Sequence, residues 1–163
     1  MKKLIIIIIV SFAIFINCQN TSVESIILTS GLSQNPDEPR FGIEISNRNI
    51  YYCEERIEKK GTYNYFQCEV NPEIFDALKY RISSTFKTTN ESEDIVDATR
   101  YQLVYTVYNK SDTICFYKQH LNDEQKKRIE KIISLRKNKF KSIKYHSFPN
   151  ELLTYKLPTP PSF

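Results

Sequence analysis

The chain has 163 residues, a formal net charge of +4, only 3 Gly, and 11 Tyr and 10 Phe but no Trp. That length fits one domain plus a targeting segment. So few glycines among so many aromatics exclude a collagen-like or disordered chain and favour strands, where aromatic rings pack well on a pleated surface. The small net charge gives no reason to expect a nucleic-acid partner.

Residues 1–17 read as a signal peptide: Lys2 and Lys3 form a positive start, residues 4–16 are apolar apart from Ser11, and Asn17 closes the stretch. An apolar core of about 13 residues suits a signal h-region. As a helix it would rise only about 20 Å, short of a hydrocarbon layer ~30 Å thick. Phe15, Ile16, Asn17 and Cys18, followed by the polar Gln19, Asn20, Thr21 and Ser22, resemble a bacterial lipoprotein signal. Phe15 and Asn17 stand where that pattern usually has an aliphatic and a small residue. The resemblance implies that the Cys18 thiol is lipidated, as with palmitate, and becomes the first residue of a mature chain held at the cell envelope. More than one acyl chain would make such an anchor stable. Ordinary cleavage and release as a soluble exported protein is the alternative.

Residues 18–25 are then the lipidated cysteine and a polar tether, residues 26–157 a single domain, and residues 158–163 a Pro-rich extended tail. Residues 25–30 read as a first strand, and residues 31–39, with Gly, Ser, Asn, Asp and two Pro, as a loop. Phe41, Ile43 and Ile45 alternate with polar neighbours, the period of a half-buried strand. Asn47, Arg48 and Asn49 supply a turn. Residues 50–55 and 62–70 form a hairpin around Lys60 and Gly61. With a two-residue turn there, Cys53 lies directly opposite Cys68, at a Cα separation of ~5.5 Å that suits a disulfide. An oxidising envelope compartment would permit the bridge. One residue of register error would remove it, leaving two free thiols.

Asn71, Pro72 and Glu73 open a helix as N-cap, first helical residue and acid at the positive end. Phe75, Leu78, Ile82 and Phe86 continue it as one apolar stripe. Residues 88–97 are a polar, acidic loop. Tyr101, Leu103, Tyr105 and Val107 alternate as a strand, and residues 109–112 turn the chain into another strand over 113–118. Asn122 and Gln125 stand at capping-box spacing before a second helix, whose inner positions are Gln125, Ile129, Ile132, Ile133 and Arg136. Beyond residue 137 a basic stretch covers apolar surface through Phe140, Ile143, Tyr145 and Phe148. The prediction is an α+β domain: an antiparallel sheet of five to six strands packed by two helices, in the order β-β-β-β-α-β-β-α.

Charge is unevenly spread. Residues 18–125 hold 11 basic and 17 acidic side chains, a net of −6, whereas residues 126–163 hold 10 basic and 2 acidic, a net of +8. Lys137, Lys139, Lys141 and Lys144 form the candidate binding patch for an anionic surface or an envelope protein. A solvated helix face followed by a basic loop is the plainer reading.

The order of elements resembles a family of domains found in bacterial secreted proteins and lipoproteins and described only as of unknown function. The likeness spans about residues 25–135. It is carried by residues 30–45, the Gly61 hairpin, the helix with Pro72, Glu73, Phe75 and Leu78, and Asp97, Ala98 and Thr99 before the Tyr101 strand. That family carries a Cys-Phe-Gly-x-Cys-Pro-like segment, where this chain has Asp37, Glu38, Pro39, Arg40, Phe41 and Gly42 and no Cys. The resemblance implies a topology and no activity.

Chemistry is sparsely signalled. His120 and His146 are the only histidines, and neither stands at a spacing that marks a catalytic base. Cys115 lies within a strand and is expected to be buried as a small hydrophobe. No zinc-ligand spacing or phosphate-cradling loop occurs. Glu91, Glu93, Asp94 and Asp97 lack the alternating ligand order of a calcium loop. No catalytic residue, cofactor or metal is expected. The reading is a membrane-anchored lipoprotein with a non-catalytic accessory or binding domain. The alternatives are an immunity or inhibitor protein acting on a toxin or hydrolase, and a hydrolase with carboxylates that the sequence does not single out.

Overall fold

A computed structural model describes residues 23–33, 35, 37–86, 98–148 and 151–154. The expected signal peptide, Cys18, most of the expected tether, the acidic side chains at 91–97 and the Pro-rich tail lie outside the described residues.

The alternating apolar residues form strands β1 (Val23–Ser30), β2 (Phe41–Ser46), β3 (Asn49–Glu55), β4 (Tyr63–Glu69), β5 (Arg100–Val107), β6 (Lys110–Tyr117) and β7 (Lys141–Ile143). They make one sheet in the order β6-β5-β1-β2-β3-β4-β7, with every neighbouring pair antiparallel. Helices α1 (Pro72–Lys79), α2 (Ile82–Thr85), α3 (Asp123–Ser134) and α4 (Glu151–Thr154) complete the described elements. The fold is therefore α+β, as the patterning predicts, with one strand more than expected. β7 escapes the sequence because three residues are too few to show a period, and two of them, Lys141 and Ser142, face solvent.

Strand alternation divides the sheet into two unlike faces. On the first, Ile26, Leu28, Ile43, Ile45, Ile50, Tyr52, Tyr101, Leu103 and Phe116 meet Phe75, Leu78, Ile82, Phe86, Ile129 and Ile132 in one core. Each such side chain contributes roughly 1.5–3 kcal/mol through removal of apolar surface from water. The helix predicted from Asn71 is broken in two at Arg81, which takes a left-handed backbone (φ 56°). The stripe of Phe75, Leu78, Ile82 and Phe86 still ends buried on both sides of the break. Asn71 caps α1 through the Glu73 N–H, with Pro72 at the first helical position. Asn122 and Gln125 form the expected capping box at α3. The Gln125 side-chain amide also donates to Thr85 O at 2.9 Å, fastening α3 to α2.

Two turns differ from expectation. The β5–β6 connection is the pair Tyr108 and Asn109, both at positive φ (48° and 58°), so β6 starts at Lys110 rather than 113. Such a turn has the twist that antiparallel strands need. The β3–β4 loop is wider than two residues: Arg56 N–H donates to Thr62 O, and Gly61 turns the chain at φ 81°. Glu55 therefore pairs with Tyr63, Cys53 with Tyr65, and Cys68 with Ile50. Against the two-residue turn this is a slip of three residues, an odd number, so Cys53 and Cys68 project from opposite faces.

Candidate functional site

The second face of the sheet carries smaller and more polar residues, and the C-terminal segment crosses part of it. Gly42 in β2 makes this approach possible. A Cβ there would lie 3.0 Å from Cys53 Sγ, 3.0 Å from Phe148 Cδ1 and 3.2 Å from Leu153 Cδ1. Upstream of Phe148, the Tyr145 ring meets Tyr65 edge-on at 5.1 Å. The His146 ring stacks on Tyr51 at 3.8 Å with 5° between the planes. His146 Nε2 and Glu44 Oε2 are 2.8 Å apart. Downstream, Tyr63 Oη donates to Leu153 O at 2.7 Å, and Arg40 Nη1 to Leu152 O at 3.1 Å. Residues 145–148 and 151–154 thus form a strap pinned across β4, β3 and β2.

Beneath the strap lies a buried ion pair. Arg40 and Glu55 are 4% and 3% exposed, and the guanidinium meets the carboxylate through both Nε (3.0 Å) and Nη2. The same carboxylate accepts the Gly61 N–H at 2.6 Å, which shapes the β3–β4 loop. Burial pushes the Glu55 carboxyl up, but the hydrogen bonds from Arg40 and Gly61 outweigh it and hold it below its ordinary value. The hydrogen bond to Glu55 outweighs burial at Arg40 and raises its guanidinium further. Between strap and sheet, Arg40, Cys53, Gly61, Tyr63, Tyr65, Tyr145, His146, Phe148, Leu153 and Thr154 surround a cleft of about 320 Å³.

The Cys53 thiol and the Tyr63 and Tyr65 phenols of this cleft are held neutral by burial. Burial pushes the Cys53 thiol up to about 12, so it stays protonated and is not an activated nucleophile. Burial likewise raises the Tyr63 and Tyr65 phenols, which remain neutral hydrogen-bonding groups. Among the described residues no three metal-ligating side chains converge.

The residues singled out in the sequence are dispersed. Lys137, Lys139, Lys141 and Lys144 are all exposed around β7, at one edge of the sheet. Lys139 and Lys141 line one groove of about 500 Å³ with Gln67, Cys68, Glu69, Ser142 and Ile143; Lys137 and Lys144 are not part of its wall. Cys53 and Cys68 do not form the disulfide that a two-residue turn would allow: both are free thiols, the alternative reading, as the wider loop dictates. Cys115 is exposed rather than buried, because β6 is an edge strand and its Cys115 side faces away from the helices. Arg136, expected on the inner face of α3, lies just beyond the helix. It spreads over the Phe41 ring at 4.4 Å and binds Tyr52 Oη and Glu54. His120 meets the Tyr117 ring edge-on at 5.9 Å.

Sequence reasoning expected the stretch through Phe148 to cover apolar surface but missed where the strap is pinned, and it missed the Arg40–Glu55 pair. A glycine inside a strand marks a close backbone approach, and Gly42 was that signal. No helix among the described residues is long and apolar enough to cross a membrane. No protein-family model, no curated protein and no solved structure matches the chain.

Proposed function

We propose that this chain is a non-catalytic binding protein anchored at the cell envelope through a lipidated Cys18, with its lysine-bearing sheet edge turned to an anionic partner or membrane surface. The observation that carries the binding role is the exposed edge at β7, where Lys139 and Lys141 line one groove and Lys137 and Lys144 flank it in sequence. The anchor is supported by the residues themselves: a positive start, an apolar core too short to span a bilayer, and a cysteine followed by a polar stretch. The high thiol pKa of Cys53 and the dispersal of the other candidate groups favour binding over catalysis.

The test has two arms. Cys18→Ala should move the chain from the membrane fraction to the soluble fraction, and a wild-type chain that is soluble without detergent removes the anchor. Changing Lys137, Lys139, Lys141 and Lys144 to Gln in the Cys18→Ala background should weaken adsorption to phosphatidylglycerol vesicles at low salt. Each lysine near such a surface is worth up to about 1 kcal/mol, so the loss should reach on the order of tenfold or more. Adsorption that is absent, or unchanged by the four substitutions, leaves the lysines as solubilising groups only.

A further inference from the structure

The cleft under the strap is separate from the lysine groove and has a different character. Half of its lining residues are aromatic, with Tyr63 and Tyr65 from β4 and Tyr145, His146 and Phe148 from the strap. Tyr63 and Tyr65 neighbour each other at 6.5 Å between centroids, Tyr65 and Tyr145 at 5.1 Å, and His146 and Phe148 at 5.1 Å. Tyr145 is 65% exposed although its ring meets that of Tyr65, so much of the ring is open to solvent.

The charges bordering the cleft are already engaged. Arg40 is spanned by Glu55 and Leu152 O, and His146 is held against Glu44. A charged ligand would have to break one of these pairs, one of them in a dry interior where separation is costly. An uncharged ligand would not. Among the described residues, the hydroxyls of Tyr65 and Tyr145 make no hydrogen bond, whereas Tyr63 Oη is committed to Leu153 O. The cleft therefore offers flat apolar rings edged by phenol groups that can donate and accept. Its volume of about 320 Å³ lies at the small end of ligand sites, enough for one or two rings.

A sugar ring has this dual nature. One face is a patch of C–H groups that lies against an aromatic ring, and its rim is a set of hydroxyls that pair with phenols. We infer that the cleft formed by Tyr63, Tyr65, Tyr145, His146 and Phe148 is a binding site for a neutral mono- or disaccharide unit. Tyr65 and Tyr145 supply the stacking faces and the hydrogen-bonding rim, and the strap that carries Tyr145 forms the outer wall. The proposal does not depend on the lysine edge or on the anchor.

The probes are maltose and N,N′-diacetylchitobiose, with glucuronate as the charged comparison. They are titrated into the full chain in a detergent without a sugar head group and followed by calorimetry and tyrosine-ring NMR. At least one neutral sugar should bind at millimolar or lower concentration and shift the Tyr65 and Tyr145 resonances. Tyr145→Ala, a change at an exposed ring, should weaken that binding on the order of tenfold while the circular dichroism stays that of the wild type. Tyr65→Phe should keep the fold and the stacking face yet still lower affinity. The Lys139→Gln/Lys141→Gln chain should bind the sugar like the wild type even if it has lost vesicle adsorption, which separates this site from the edge. The proposal fails if neither neutral sugar binds, if glucuronate binds more tightly than both, or if Tyr145→Ala binds undiminished.

Discussion

The Arg40–Glu55 pair allows the sharpest prediction. Glu55→Gln removes the negative charge but keeps the size, leaving the Arg40 guanidinium in a site where only 4% of the residue reaches solvent. The new amide also turns an N–H donor toward a group that only donates. Leaving one member of a buried pair uncompensated costs about 3–5 kcal/mol. That is a large part of the ~5–15 kcal/mol that holds a domain together. At roughly 3 °C per kcal/mol for a domain of this size, Tm should fall by about 10–15 °C. The charge-free pair Arg40→Met/Glu55→Leu should recover most of this loss, because hydrophobic replacements remove the desolvation cost along with the attraction. It should remain about 1–2 kcal/mol short, since the Gly61 N–H loses its bond to Glu55 and Leu152 O its bond from Arg40. Urea denaturation followed by circular dichroism measures all three chains. A Glu55→Gln loss below about 1 kcal/mol, or a double variant no better than the single one, refutes the assigned role of the pair.

Further outcomes follow from the same structure. With its folded pKa held below the ordinary value, Glu55 binds fewer protons folded than unfolded as pH falls past that value. Its contribution is complete above the carboxylate range and is lost as pH drops through the lowered folded pKa, so Glu55→Gln should flatten the acidic limb of stability against pH. Gly42→Ala should push on Cys53, Phe148 and Leu153 together, costing about 1–3 kcal/mol; protease cleavage within residues 145–154 should accelerate, and unchanged resistance would show that the strap does not depend on this contact. Thiol labelling of the folded chain should modify Cys115 first and Cys53 last, with chain mass unaltered by reduction, and early labelling of Cys53 would contradict its burial. Gln125→Ala should cost about 1–3 kcal/mol, because Asn122 N–H and Thr85 O both lose a partner; a change within experimental error would mean that water replaces the amide.

The amino-acid order by itself determined the strands with a clean period of two, the capped starts of α1 and α3, and the apolar stripes that face the sheet. These depend on neighbours a few residues away, and Asn71 with Glu73 or Asn122 with Gln125 meet the same partners in the fold as in the local pattern. The proposed leader and lipidated Cys18 rest on the length, charge and polarity of the first residues alone. Tertiary structure decided the rest. A three-residue slip at the Gly61 loop set Cys53 opposite Tyr65 and sent Cys68 to the other face, because strand register turns on a loop whose length Lys60 and Gly61 do not fix. The cleft and the Arg40–Glu55 pair were hidden for a different reason. They join residues 40, 55, 63 and 65 to strap residues from 145 onward, eighty or more positions further along the chain, and only the folded sheet brings them to one place.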